Sequence, residues 1–325
     1  MKKSISVVIP NYNGRQLIEK NLPTVYEALL AGNLEHEIII VDDVSTDDSV
    51  SFIQTSFPSV ILLQNEVNKG FSPTINRGIH HATKDLVFAL NSDVELTKAY
   101  FVLLLRYFED DHVFGVSGRT IGLYDETIQE AAKFPRQRTS KKIDTYNFFI
   151  EETEGYNVPT LYLSGANALI DRKKLIQLDG FDEIYAPFYY EDLDLSIRAW
   201  RAGWKCYYEH GAICRHPVSA TIKKYHVKKK VWIVSNRNKL ILHAIHLSFF
   251  SKWIWNLKVY VTLLVRALLF DWKYHHAFLQ FLKKKKQIEK SKLRNSETGA
   301  TQSIEVIMRT LREELKDHTM IKTKS

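Results

Sequence analysis

The sequence holds few cysteines and none of the glycine-rich phosphate motifs, and each shortage narrows its class. Only Cys206 and Cys214 occur among the 325 residues. Their spacing matches no metal or redox motif, so a disulfide framework is excluded and two buried thiols in a reducing compartment are expected. No Gly-x-Gly-x-x-Gly follows the first apolar run, which disfavours a nicotinamide or flavin enzyme. A Gly-x-x-x-x-Gly-Lys-Ser/Thr loop is absent, which removes a P-loop nucleotidase. So is a Gly-x-Ser-x-Gly elbow, which argues against an α/β-hydrolase. The opening MKKSISVVIPNYNG carries a mostly apolar run of only five residues, ended by Pro10, and does not read as a signal peptide. Within 231–282 the longest uncharged run is Leu240–Ser251, short of the ~20 residues a membrane span needs.

Apolar content of 45% and charged content of 25% are ordinary for a globular chain. The net charge of +8 hides an asymmetry. Residues 221–294 carry 18 Lys and Arg against 2 Asp and Glu, so the preceding body is slightly acidic. That profile does not suit a nucleic-acid binder; it suits a catalytic body with one face turned to something anionic.

Apolar, β-branched runs at Ile5–Ile9, Glu37–Val41, Val60–Leu63 and Leu86–Leu90 alternate with segments of helical period at 14–30, 50–57 and 70–82. Strands and helices at this spacing predict a parallel, doubly wound α/β sheet. Ligands in such sheets sit outside the carboxyl ends of the strands. Further on, the pattern predicts a helix over 97–108, strands at 113–117, 166–170 and 205–208, and helices over 172–178 and 191–202. Residues 118–159 show no clean period and read as binding loops or a cover. Residues 231–282 are helical in period, with Trp253, Trp255, Tyr260 and Trp272 among Lys252, Lys258 and Arg266. This composition suits helices lying on an anionic membrane interface, the alternatives being a helical cap on the main domain or a dimer contact. After Asn295 the tail is polar, with one helix expected over 304–315 and disorder at its end.

Four acidic or basic corners fall at element ends. Asp42-Asp43 close the second strand; two adjacent acids there are expected to face solvent or a ligand, as a nucleoside contact or as a solvated helix cap. Asn91-Ser92-Asp93-Val94-Glu95 follow the fourth strand. A departing diphosphate gains negative charge, and Mg²⁺ or Mn²⁺ held by one or two carboxylates neutralises it. Asp93 suits that task; a turn residue capping the next helix is the plainer alternative. Glu191-Asp192 open a helix after Phe188-Tyr189-Tyr190. Acids are stabilised at helix N-termini in any case, but a sugar hydroxyl attacking an anomeric carbon also needs a general base within reach. His216, in Cys214-Arg215-His216-Pro217, follows the last strand and is either structural or a metal ligand.

Taken in order, VVIPNYNG, VDDVSTDDS, NKGFSPTINRGI, LNSDVE, SGANALIDRKKLIQLDGFDE, EDLDLSIRAWRAGW and His216 ahead of Ser219-Ala220-Thr221 resemble family-2 glycosyltransferases of GT-A fold. The likeness is strongest to the rhamnosyltransferase-like branch of bacterial polysaccharide synthesis, and covers residues 4 to 221. It implies an inverting transfer from a nucleotide-diphosphate sugar. Joined to the membrane reading, which rests on the composition after Thr221 alone, the leading expectation is a cytoplasmic enzyme, peripheral on the inner face of the plasma membrane, that acts on a glycan or lipid-linked acceptor. Pro10, Asn11, Tyr12 and Asn13 would line the nucleoside pocket, with Asp42 or Asp43 on the base. Lys69, Gly70, Phe71 and Asn76 would border the nucleotide, with Asn91 and Ser92 beside it, and Gly165, Ala166 and Asn167 the donor sugar. Asp93 would hold the divalent metal, with His216 as second ligand; Asp192 would be the base and Glu191 would help position the acceptor. The sequence departs from the family pattern at Asn91, where a first Asp is usual, at Val44, where a small residue is usual, and at Ser72, where Ala is usual. The organisation implied is a transferase domain (1–221), a basic aromatic-rich segment (222–294) and a polar tail (295–325). Two rivals remain: a nucleotidyltransferase, which would want a glycine- and arginine-rich first turn, and a catalytically inactive partner subunit of the same fold.

Overall fold

The structure is a computed structural model that describes residues 3–136, 138–150, 157–216, 228–299 and 302–323. Ten strands form one sheet in the order β10-β12-β6-β11-β4-β1-β2-β3, with β5 paired to β12 and β7 to β6. They are β1 (Ile5–Asn11), β2 (His36–Asp42), β3 (Ile61–Gln64), β4 (Leu86–Leu90), β5 (Glu95–Leu96), β6 (Val113–Ile121), β7 (Ile128–Glu130), β10 (Val158–Pro159), β11 (Asn167–Asp171) and β12 (Lys205–Arg215). The remaining strands, β8 (Ala132–Pro135), β9 (Thr145–Ile150) and β13 (Met320–Lys322), form a small antiparallel sheet.

Pairing is parallel from β4 through β1 and β2 to β3, and between β6 and β12. The chain winds outward from β1 to β3, then crosses back to place β4 on the other side of β1. The crevice at that reversal is where open α/β sheets bind ligands. β1 and β4 are buried on both faces, which explains their unbroken apolar runs. Helices α1 (Arg15–Ala31), α2 (Ser49–Ser56), α3 (Phe71–His81), α4 (Tyr100–Leu105), α5 (Arg172–Gln177) and α6 (Glu191–Arg201) cover the sheet.

Two expectations fail here. Residues 118–159 are not merely loops: they extend β6 to Ile121 and supply β7 to β10. Lys133 and Tyr146 interrupt the apolar alternation there: the Lys133 ammonium has its partner, Asn147, within the small sheet, and the Tyr146 ring lies under the Arg136 guanidinium. In the tail, expected to be polar with disorder at its end, Met320–Lys322 form β13, paired to β9; the last two residues lie outside the described ones.

The C-terminal part forms α7 (Lys228–His246), α8 (Phe249–Leu268), α9 (Lys273–Lys283), α10 (Lys285–Glu297) and α11 (Ile304–Glu314). α7 is packed into the domain. Leu240, Ile241 and Leu242 join the same apolar cluster as Ile75, Phe181 and Leu195. Asn238 Nδ2 donates to the carbonyls of Tyr185, Phe188 and Tyr189 at 2.6, 2.9 and 3.0 Å. α11 buries Ile304, Ile307, Met308 and Leu311, one face at helical spacing. α8 differs: Trp255 and Val259 face inward, while Phe249, Trp253, Leu257, Leu264, Leu268 and Phe270 lie between 54% and 90% exposed. The expected boundary at 221/222, and Ser219-Ala220-Thr221, lie outside the described residues.

Candidate active site

Three strand ends bring the polar corners together. The β1 and β4 corners meet at Gly14: a Cβ there would lie 2.4 Å from Asn11 Oδ1 and 3.4 Å from Ser92 Oγ. Asn21 Nδ2 holds the Ser92 carbonyl at 2.9 Å. The antiparallel register of β11 on β4 sets the Ser164–Ala166 turn beside Asn91, whose amide donates to the Ala166 carbonyl at 3.1 Å. β5 pairs with the end of β12, Glu95 facing Arg215, and this places Asp93 against His216. His216 Nε2 lies 3.1 Å from Asp93 Oδ1. Burial alone would lower the imidazole's pKa, but the Asp93 hydrogen bond and charge outweigh it and raise it. Asp93 does not cap the following helix, whose first turn lacks any side-chain cap. Glu95 is turned away and pairs with Lys20 Nζ at 3.3 Å.

Opposite this pair lie Glu191 and Asp192, in the first turn of α6. Tyr189 and Tyr190, just before them, both take the left-handed conformation, with φ of 74° and 77°. Non-glycine residues pay for that conformation, and Asn238 holds the segment in place through its bonds to the Phe188 and Tyr189 carbonyls. Gly165 brings the β11 turn beside them: a Cβ there would make ordinary contact with Asp192 Cβ at 3.4 Å and Phe71 Cζ at 3.8 Å. Burial raises the pKa of both carboxyls, and the Asp192 charge raises Glu191 further. Glu191 Oε2 is buried with no hydrogen-bond partner among the described residues.

The small sheet adds groups that the sequence reading missed. Lys133 is buried, with Nζ 2.7 Å from Asn147 Oδ1, 3.9 Å from Glu130 Oε1 and 5.3 Å from the centre of the Tyr162 ring. Burial pulls its pKa down, but the charges of Glu130, Tyr162 and Asp192 leave it raised, so the ammonium is retained. Its signal was a lone lysine within the AAKFP run, legible only once 132–135 is known to be a strand.

Several expected ligands are engaged elsewhere. Asp42 and Asp43 do not face solvent: both are buried and receive hydrogen bonds from the chain itself. Asp42 accepts from Asn11 Nδ2 and the Ser45 amide, each at 2.9 Å. Asp43 accepts from Asn65 Nδ2 at 2.7 Å and from the amides of Lys69 and Gly70 at 3.0 and 2.9 Å. These donors replace water, which removes the reason to expect exposure. Asn13 Oδ1 accepts from the amides of Thr46 and Asp47. Asn76 is bound to both backbone groups of Phe181 and braces the Gly180 turn. Asn167 is fully buried, its Nδ2 on Thr120 Oγ1 and Cys214 Sγ. Tyr12 and Phe71 stay partly exposed, and Lys69 exposed, around the crevice, which begins at the carboxyl end of β1 with Asn11 and, one residue back, Pro10. Val44 has φ of 67°, a costly position for a β-branched residue and the physical reason a small residue fits there better.

Among the described residues no three metal-binding side chains converge. One carboxylate and one imidazole, with the diphosphate and water completing the shell, still form a donor set that Mg²⁺ or Mn²⁺ accepts. Asp93 and His216 fit such an ion.

The sequence model described as "Glycosyl transferase family 2" matches residues 6–178, over half of the chain. The chain belongs to glycosyl transferase family 2. It is 24% identical over 61% of its length to "Uncharacterized glycosyltransferase YfnE" of Bacillus subtilis, and spans 60% of that relative. It is 25% identical over 66% of its length to the N-acetylglucosaminyl-diphospho-decaprenol L-rhamnosyltransferase of Mycobacterium tuberculosis, covering 76% of that protein. Among solved structures it is similar to GalNAc-T7 with UDP, GalNAc and Mn²⁺, at TM-score 0.67 and 14% identity, over 97% of this chain and 56% of that one. It is also similar to the mannosyltransferase PcManGT from Pyrobaculum calidifontis with GDP-Man and Mn²⁺, at TM-score 0.54 and 16% identity, over 98% and 88%. These likenesses establish the GT-A fold, the mixed α/β architecture expected from the sequence.

Proposed function

We propose that the protein is an inverting glycosyltransferase that moves a sugar from a nucleotide-diphosphate donor to a glycan or lipid-linked acceptor in cell-surface polysaccharide synthesis. The observation that supports this reading is a buried carboxyl of raised pKa, Asp192, that feels the same Glu130 charge as His216, the partner of Asp93. The nucleoside enters over Pro10, Asn11 and Tyr12, and the sugar lies by Gly165 and Ala166, between the corner and α6. Asp93 and His216 would hold Mg²⁺ or Mn²⁺, which supplies charge neutralisation to the leaving diphosphate.

The acceptor hydroxyl attacks the anomeric carbon on the face opposite the diphosphate. As its oxygen forms the new bond, its proton passes to an Asp192 carboxylate oxygen, and the carbon–oxygen bond to the diphosphate breaks. The configuration inverts. A base whose pKa is raised holds that proton better than an ordinary carboxylate while remaining ionised near neutral pH. Lys133 sets the charge around Asp192 and Glu130, and Glu191 supports the acceptor side.

A peripheral place on an anionic membrane fits the C-terminal helices. No helix among the described residues is long and apolar enough to cross a membrane. The outward face of α8 is apolar over several turns, larger than isolated exposed side chains explain. Removing the chain after Val231 would also remove α7 from the core, so Trp253→Ser with Leu264→Ser is the cleaner membrane test. Loss of pelleting with membranes supports that placement; unchanged pelleting contradicts it.

The test of the transferase is donor hydrolysis with UDP-, dTDP- and GDP-sugars and Mg²⁺ or Mn²⁺. Release of nucleotide from one of them is expected. Neither release nor binding with any donor would favour a non-enzymatic partner subunit.

A further inference from the structure

Two adjoining cavities lie on either side of the first turns of α7. One, of about 320 Å³, is lined by Lys228, Lys229, Trp232, Arg266, Asp271 and Lys273. The other, of about 480 Å³, shares Lys229 and adds Lys230, Arg237 and Pro187. Lys228, Lys229 and Lys273 form no ion pair with a described residue, whereas Arg266 pairs with Asp271. Arg266 also lies over the Trp232 and Tyr274 rings, at 5.1 and 5.4 Å from their centres, which fixes the guanidinium at the cleft wall. Uncompensated ammonium groups around a concave space favour a multiply charged anion such as a phosphate.

The surroundings select the kind of anion. Pro187, on the wall of the second cavity, takes the Phe71 amide on its carbonyl at 3.1 Å and leaves Gly70 no room for a Cβ. The cleft therefore backs onto the nucleotide side of the crevice. In the other direction, Arg266 sits on α8, whose outward face is the exposed apolar stripe. A ligand spanning both needs a phosphate head and a hydrocarbon tail.

We propose that this cleft binds the phosphate or diphosphate headgroup of a membrane lipid that carries the acceptor, with its chain along α8. The proposal rests on the transferase reading for its role, but its binding stands apart from catalysis. A lysine near an anionic lipid surface contributes about fivefold in affinity, so three contribute on the order of a hundredfold.

The test uses the full chain and phosphatidylcholine vesicles containing a polyprenyl phosphate, read by co-sedimentation. Lys228→Gln, Lys229→Gln and Lys273→Gln combined is expected to weaken binding on the order of a hundredfold while donor hydrolysis stays at the wild-type rate. Lys283→Gln, Lys285→Gln and Lys286→Gln combined removes the same charge elsewhere and is expected to cost less than a tenth of that loss. Equal losses in the two variants, or none in the first, would overturn the site. Inorganic pyrophosphate that binds as tightly as the vesicles would overturn the lipid assignment. Wild-type protein that hydrolyses no donor yet shows the vesicle pattern would fail the transferase reading alone.

Discussion

His246 Nε2, at the end of α7, lies 2.8 Å from Asp194 Oδ1, two residues beyond Asp192 on α6. Arg198 Nε bonds the second oxygen at 2.7 Å, and Tyr185 OH the first at 3.0 Å. The helix that carries Asp192 thus holds a fully buried Asp194–Arg198 ion pair, and the hydrogen bond from His246 ties it to the C-terminal appendage.

That cluster makes the fold acid-sensitive. Burial raises the pKa of Asp194, but the Arg198 charge and the His246 hydrogen bond outweigh it and leave it well below the usual carboxylate range. Burial lowers His246, and lowers His243 to about 3. Histidines held neutral in the fold but protonated when unfolded cost stability below the unfolded pKa of ~6.5. For His243 that cost is about 2 kcal/mol at pH 5, and His246 acts in the same direction. Asp194 adds a further loss below ~4, where the unfolded carboxyl takes up a proton. Denaturant unfolding is expected to show stability level above about pH 7 and falling below ~6.5, with His243→Phe flattening the upper part of the fall. A flat profile from pH 7 to 5 would remove this account.

Metal dependence follows from the Asp93–His216 pair. Asp93→Asn is expected to abolish Mn²⁺-dependent nucleotide release. His216→Gln should raise the Mn²⁺ concentration for half-maximal activity at least about tenfold, since losing even an outer partner of a metal costs that much. Chelation should stop the wild-type reaction. An unchanged Mn²⁺ requirement in His216→Gln would leave the histidine structural.

Lys133 bears on the pH profile. Asp192 must be ionised to accept a proton, so activity should rise with pH through a midpoint above the ordinary carboxylate value of ~4. Replacing Lys133 with Met removes a cation that favours the ionised form. The acid limb is then expected to move upward by up to about one unit. A midpoint that does not move would show that Lys133 serves only the small sheet.

The core of this design was readable in the sequence because burial on both faces forces unbroken apolar strands. Leu86–Leu90 is the clearest case, and the corner it delivers was visible as LNSDVE. Residues 118–159 hid their strands because Lys133, Asn147 and Tyr146 pair with one another or with nearby polar and charged groups across a half-buried sheet. The internal hydrogen bonds of Asp42, Asp43, Asn76 and Asn167 were not legible in the sequence. Residue type marks a side chain as polar, but only the fold shows whether its partner is a ligand or the chain. His216 was ambiguous for the opposite reason: its partner, Asp93, is 123 residues away and meets it only through the β5–β12 pairing.

The central claim is that Asp192 is the base of a sugar transfer. The direct measurement compares Asp192→Asn with wild type for donor affinity by calorimetry and for transfer in single turnover. The account predicts donor affinity within about threefold of wild type and transfer reduced at least about 10²-fold, the lower end of what a positioned base contributes. Transfer at the wild-type rate in Asp192→Asn would contradict it.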